Sequence, residues 1–114
     1  MDWGKVTYIF FSLMSLTTAA GFIYEPNSIA LFLAASVNVI STLLKIGVRN
    51  LLAAELLASS LVADLHLIPA FILLTFYNNT QMAIALAIGA IVANIFSVAL
   101  ALIESAKSKD EEEF

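Results

Sequence analysis

Four apolar runs, residues 6–23, 29–46, 51–77 and 82–103, fill most of this chain and are separated only by short polar turns. Each is long enough to cross a hydrocarbon layer about 30 Å thick as a helix, which takes roughly 17–25 residues. In lipid every backbone N–H and C=O must be paired inside the protein, so only helices and closed barrels span it. Four segments are too few to close a barrel. The expected fold class is therefore an all-α integral membrane protein, with four transmembrane helices in an up-down bundle. Its helical domain covers residues 1–104, and a charged tail, SAKSKDEEEF, follows at 105–114.

Composition supports the same class. Apolar residues make up 61% of the chain and charged residues 12%, with a mean hydropathy of +0.98, whereas about a quarter of a water-soluble domain is charged. Lys5 before the first run and Thr18-Ala19-Ala20 late in it loosely resemble a secretory signal. The run is long for such a core, which is usually about 7–15 residues, so it is expected to remain as a first helix.

The turns carry helix punctuation. Pro26 blocks continuation of the first helix, and Asn27 or Ser28 can cap the second. Gly47 can end the second helix, Asn50 can cap the third, and Asn79 or Thr80 the fourth. Connections this short place successive helices side by side and antiparallel. Lys5, Lys45, Arg49, Lys107 and Lys109 all fall on one side if both termini are cytoplasmic, whereas the opposite turns hold only Glu25 and neutral residues. Enrichment of cytoplasmic loops in Lys and Arg then gives an N-in, C-in protein of the plasma (cell inner) membrane. Trp3 and Tyr8 at one end, and Tyr24 and Tyr77 at the other, suit interfacial anchoring.

Several function classes are disfavoured. The net charge of −4 comes from one terminal cluster, Asp110 to Glu113, and five basic residues are too few for a nucleic-acid footprint. No Cys is present, which removes thiolate metal sites and cysteine nucleophiles. A single His offers no metal or haem site without ligands from another chain. A nearly loopless chain without a phosphate loop or nucleophile elbow is not expected to be an enzyme or to bind a cofactor.

The third run holds the most unusual residues. Asp64 lies near its middle, His66 two residues on and Pro69 just beyond. A charged group at that depth costs about 2.5–3.5 kcal/mol to insert, so it marks a function or a partner. At 100° per residue, Ser60 and Asp64 share one face while Glu55, Ser59 and His66 share another, about 200° from Asp64. Pro69 removes a backbone bond and is expected to kink this helix. Glu55, about one turn inside, has a salt bridge with Lys45 or Arg49 as its simpler role. Glu104 has the same with Lys107 or Lys5.

Small residues recur at every fourth position of the fourth run, Ala85, Gly89, Ala93, Ser97 and Ala101, and of the second, Ala30 and Ala34 followed by Asn38 and Thr42. That spacing favours close helix packing, within the chain or between subunits. Ala34, Asn38 and Ser41 also recur 56 positions later as Ala90, Asn94 and Ser97. Such an echo fits either a duplicated hairpin or shared packing composition. Asn38 and Asn94, both near mid-membrane, suit either interhelical hydrogen bonds or the lining of an ion path.

Two functional expectations follow. The first is a small oligomeric membrane protein forming or contributing to an ion or proton pathway centred on the third helix, with Asp64, His66, Glu55, Asn38, Asn94 and Ser60 as its candidates. The second is a non-catalytic auxiliary or assembly subunit packed on a larger channel, transporter or respiratory complex. Both imply lipid around the helices and further copies or a membrane-protein partner.

Overall fold

The computed structural model describes residues 3–46 and 53–113, all of it helical apart from two short turns. The helices are α1 (Trp3–Tyr24), α2 (Ser28–Ile46), α3 (Ala53–Tyr77) and α4 (Thr80–Glu113). Each contains a stretch long and apolar enough to cross a membrane: Val6–Tyr24, Ser28–Ile46, Ala54–Tyr77 and Thr80–Glu104. The expected caps at Gly47 and Asn50, and Arg49 with them, lie outside the described residues.

The two described turns are closed by asparagines. Asn27 Oδ1 accepts the Ala30 N–H at 2.8 Å and so caps α2, and Asn79 Oδ1 accepts the Met82 N–H at 3.1 Å and caps α4. Between α3 and α4, Asn78 takes the left-handed φ of 53° that asparagine tolerates better than most residues. The Asn79 N–H then returns to the Leu73 carbonyl at 3.0 Å. Helix α3 runs without a break through Pro69. Helix α4 continues to Glu113, past the expected membrane stretch, through a segment whose Ala, Lys and Glu residues favour helix.

The helices pack in a ring in which α1 touches α2 and α4, and α3 touches α2 and α4. Neighbours are antiparallel, because partners run in opposite order. Ser12 meets Ser41 while Ser15 meets Asn38, and Thr42 meets Ser60 while Asn38 meets Asp64. The bundle measures 55 × 21 × 19 Å, its long axis matching the length of α4 at about 1.5 Å per residue.

All four helices bury one stripe with alternating steps of three and four residues. On α1 the stripe is Tyr8, Ser12, Ser15, Ala19 and Phe22; on α2 it is Leu31, Ala34, Asn38, Ser41 and Lys45. On α3 it is Leu56, Ser60, Ala63, Leu67, Ala70 and Leu74. Helix α4 adds Ala83, Ala87, Ala90, Asn94, Ser97, Ala101 and Glu104. The average step is that of heptad packing, about 3.5 residues. A residue every fourth position drifts by about 40° per step from a fixed helix face. Ala85 is accordingly exposed and Gly89 and Ala30 only half-buried, while Ala34, Ala93, Ser97 and Ala101 are buried. The same stripe corrects the placement of Tyr8. It is buried beside Leu56 and Ala101 and does not serve as a surface anchor, whereas Trp3, Tyr24 and Tyr77 are exposed.

The core divides along the axis. Toward the end carrying the Glu25–Asn27 and Asn78–Asn79 turns, it is apolar and rich in alanine, with Phe22, Leu31, Leu67 and Leu74 as the large members. Toward the end carrying Trp3, Ile46 and Ala53, hereafter the terminal end, it is polar until Tyr8, Leu56 and Ala101 close it.

Close alanine packing makes the apolar half intolerant of added volume. Ala90→Leu is expected to cost about 1–3 kcal/mol, whereas Ala85→Leu on the exposed face should stay within about 0.5 kcal/mol. Reversible unfolding in mixed micelles compares the two.

Candidate functional site

Asp64 points into the bundle and is almost wholly buried. A carboxylate in such surroundings needs donors, and α2 supplies both. Asn38 Nδ2 donates to Oδ1, and Thr42 Oγ1 donates to Oδ2 at 2.6 Å. Both partners are positioned by the α2 stripe, since residues 38 and 42 lie one turn apart on the face toward α3.

Asn38 is the hub of this level. Besides Asp64, its amide reaches the Ser60 carbonyl at 3.3 Å, and its Oδ1 accepts the Ser15 hydroxyl at 2.8 Å. Ser15 in turn lies 3.2 Å from the Ala34 carbonyl and accepts from Asn94 Nδ2 at 3.3 Å. Ser15, Asn38, Asp64 and Asn94 thus bring all four helices together around one carboxyl group.

One turn nearer the terminal end, Ser12, Ser41, Ser60 and Ser97 are buried, one from each helix. Ser12 and Ser41 share a hydrogen bond of 2.8 Å, and Ser60 shares one of 2.6 Å with Thr42. Lys45 closes this level. Its side chain is buried and reaches across the ring, from α2 to the opposite helix α4, where Nζ donates to Ser97 Oγ at 2.8 Å. Lys45 and Asp64 are thus both buried in the same polar half of the interior.

The Thr42 hydroxyl makes the arrangement reversible. It lies within bonding distance of Asp64 Oδ2, Ser60 Oγ and the Asn38 carbonyl, yet carries a single hydrogen. With Asp64 ionised, Thr42 donates to the carboxylate and accepts from Ser60. With Asp64 protonated, the acid donates to Thr42, whose own hydrogen turns to Ser60 or the carbonyl. The geometry at Thr42 Oγ1 thus accommodates either direction of donation along this short hydroxyl chain.

The other candidates lie elsewhere. Glu55 is exposed, and the Lys45 amine expected beside it is turned inward to Ser97. Glu104 is buried at the terminal end of the α4 stripe. His66 is half-buried on the outer side of α3. Its Nδ1 bonds the Val62 carbonyl at 2.7 Å, so Nδ1 carries the hydrogen in that bond. The imidazole packs on Gly89 so closely that a Cβ there would come within 2.5 Å of the ring. Beside it, a groove of about 460 Å³ opens between α3 and α4, with Glu55 and Ser59 along one wall and Val92 and Phe96 along the other. Asp64 and His66 thus serve opposite sides of α3.

Ser12, Ser15 and Lys45 are the interior residues that sequence reasoning missed. Their signal is the stripe spacing: Ser12 and Ser15 continue the phase of Tyr8 and Ala19, and Lys45 follows Ser41 by four. Asn38→Ala strands partners on Ser15, Ser60 and Asp64 and is expected to cost about 1–3 kcal/mol. Asn94→Ala removes one long bond, for about 0.6 kcal/mol. Unfolding free energies of the two variants check that order.

The model of a family described as "Family of unknown function (DUF6394)" matches residues 25–105. This segment holds Asn38, Thr42, Lys45, Asp64, Asn94 and Ser97, and leaves Ser12 and Ser15 outside. No curated protein and no solved structure matches the chain. With more than two thirds of its length covered, the chain belongs to the DUF6394 family.

Proposed function

We propose that this is a multi-pass membrane protein contributing to a proton pathway, with Asp64 as the proton-binding group of its interior. The observation that carries the reading is the buried Asp64, held by Asn38 and Thr42 beneath a level of four serines and the amine of Lys45. An ionisable residue inside a membrane bundle is expensive and commonly belongs to a proton or ion route.

The bonding of the polar half favours a proton over a metal cation, because both Asp64 oxygens are already taken by Asn38 and Thr42, which leaves a metal few free ligands. Lys45 takes a further oxygen, that of Ser97, whereas a proton needs no coordination shell and can pass between hydroxyls. Protons arriving from the terminal end meet Lys45 first, then the serine level, then Asp64. The alanine-rich half beyond Asp64 is the barrier, and transport across the whole membrane requires it to open. The alternating-direction hydroxyl chain at Thr42 is the relay. Glu55 and His66 lie outside this route, because Glu55 lines the outer groove and the His66 ring packs on Gly89.

In the membrane, both termini are placed in the cytoplasm by the basic residues at the terminal end, in a cell inner membrane, and Pro69 bends α3 beside the apolar barrier. An auxiliary role on a larger membrane complex is the competing function.

Reconstitution into liposomes holding a pH-sensitive dye tests the proposal. Proton flux under an imposed gradient is expected to exceed that of empty liposomes and to fall at least tenfold in Asp64→Asn, with the variant still folded by circular dichroism. Equal flux with and without protein, together with copurification of a larger complex, would replace the proton pathway by the auxiliary role. A reporter fused after residue 114 should be active only on the cytoplasmic side; activity outside would reverse the assigned orientation.

A further inference from the structure

We infer that the groove between α3 and α4 is a binding site for one acyl chain of an aminophospholipid, with the lipid's ammonium group on Glu55. The inference rests on the helices crossing a membrane, and is independent of proton transport.

The groove has the dimensions of one leaflet. It runs from Glu55, in the first turn of α3, to Gly89, against which the His66 ring packs. From residue 55 to residue 66 a helix rises about 16 Å, close to half of a hydrocarbon layer about 30 Å thick. A single chain laid along Ala58, Val62, Val92 and Phe96 would therefore reach from the interface to mid-membrane. The volume of about 460 Å³ falls within the range of small-molecule sites.

Charge selects the headgroup. Among the described residues, Glu55 is the ionisable one of the groove lining and is exposed. The other described lining residues are apolar apart from Ser59, whose hydroxyl is committed to the Leu56 carbonyl at 3.1 Å. An anionic headgroup would meet a carboxylate, whereas a primary ammonium can donate hydrogen bonds to it. At the deep end the groove is lined by Gly89, on which the His66 ring packs. His66 Nδ1 is occupied by the Val62 carbonyl, so this face of α3 is tied to its own backbone.

Native mass spectrometry on full-length protein, extracted from vesicles of equimolar dioleoyl phosphatidylethanolamine and dioleoyl phosphatidylglycerol, tests the site. One phosphatidylethanolamine adduct per chain is expected, at least fivefold over phosphatidylglycerol. Glu55→Gln should abolish that preference while leaving the fold intact, because Glu55 is exposed. Val92→Trp fills the groove from an exposed position and should remove the adduct, whereas Ile40→Trp on the outer face of α2 should retain it. Adducts without headgroup preference, or adducts surviving Val92→Trp, would overturn the assignment. So would loss of a dimer in Val92→Trp, which would give the groove to a second copy of the chain.

Discussion

A carboxyl group inside a greasy bundle must find donors, and the whole interior is arranged around meeting that need for Asp64. Its two oxygens take Asn38 and Thr42, and Asn38 can serve only because Ser15 and the Ser60 carbonyl hold its amide in place. In the same half the serine level receives Lys45, whose amine is bonded to Ser97. Removing any one of these partners exposes another polar group to an apolar surrounding, so the set behaves as a network.

Helix spacing makes that network possible. Alternating steps of three and four keep one face of each helix inward over several turns, and alanine or serine at most of those positions lets the backbones approach closely. Small side chains also leave little volume between helices, so the polar half is filled by short hydroxyls and amides that can bond across the narrow space. Outward hydroxyls need no neighbour. Thr7, Thr17 and Thr18 bond carbonyls one turn back on their own helix, which lets them face an apolar surrounding.

Much of this was legible in the sequence. The lengths of the apolar runs gave four helices, and the 200° between Asp64 and His66 correctly separated the interior residue from the one in the outer wall. The turn residues offered pairs of possible caps, from which local geometry selects Asn27 and Asn79. What was not legible depended on partner register. Ser12 and Ser15 look like minor interruptions of an apolar run until α1 is placed beside α2. Lys45 reads as a boundary charge, and only the opposite Ser97 explains its inward direction. The every-fourth small residues of α4 caught part of the buried stripe and drifted off it at Ala85, because periodicity within one helix does not reveal which neighbours enclose it.

The two sides of α3 divide the molecule's chemistry. Its inner side carries a carboxyl group held by Asn38 and Thr42, and its outer side borders a groove lined by Glu55, Ser59 and Gly89. Infrared difference spectroscopy of the reconstituted protein across a pH step reads the inner side directly. Proton exchange at Asp64 predicts a band of a protonated, buried carboxyl group that grows on acidification and is missing in Asp64→Asn. A spectrum identical in wild type and Asp64→Asn would contradict it, and would leave Asp64 as a fixed strut of the bundle.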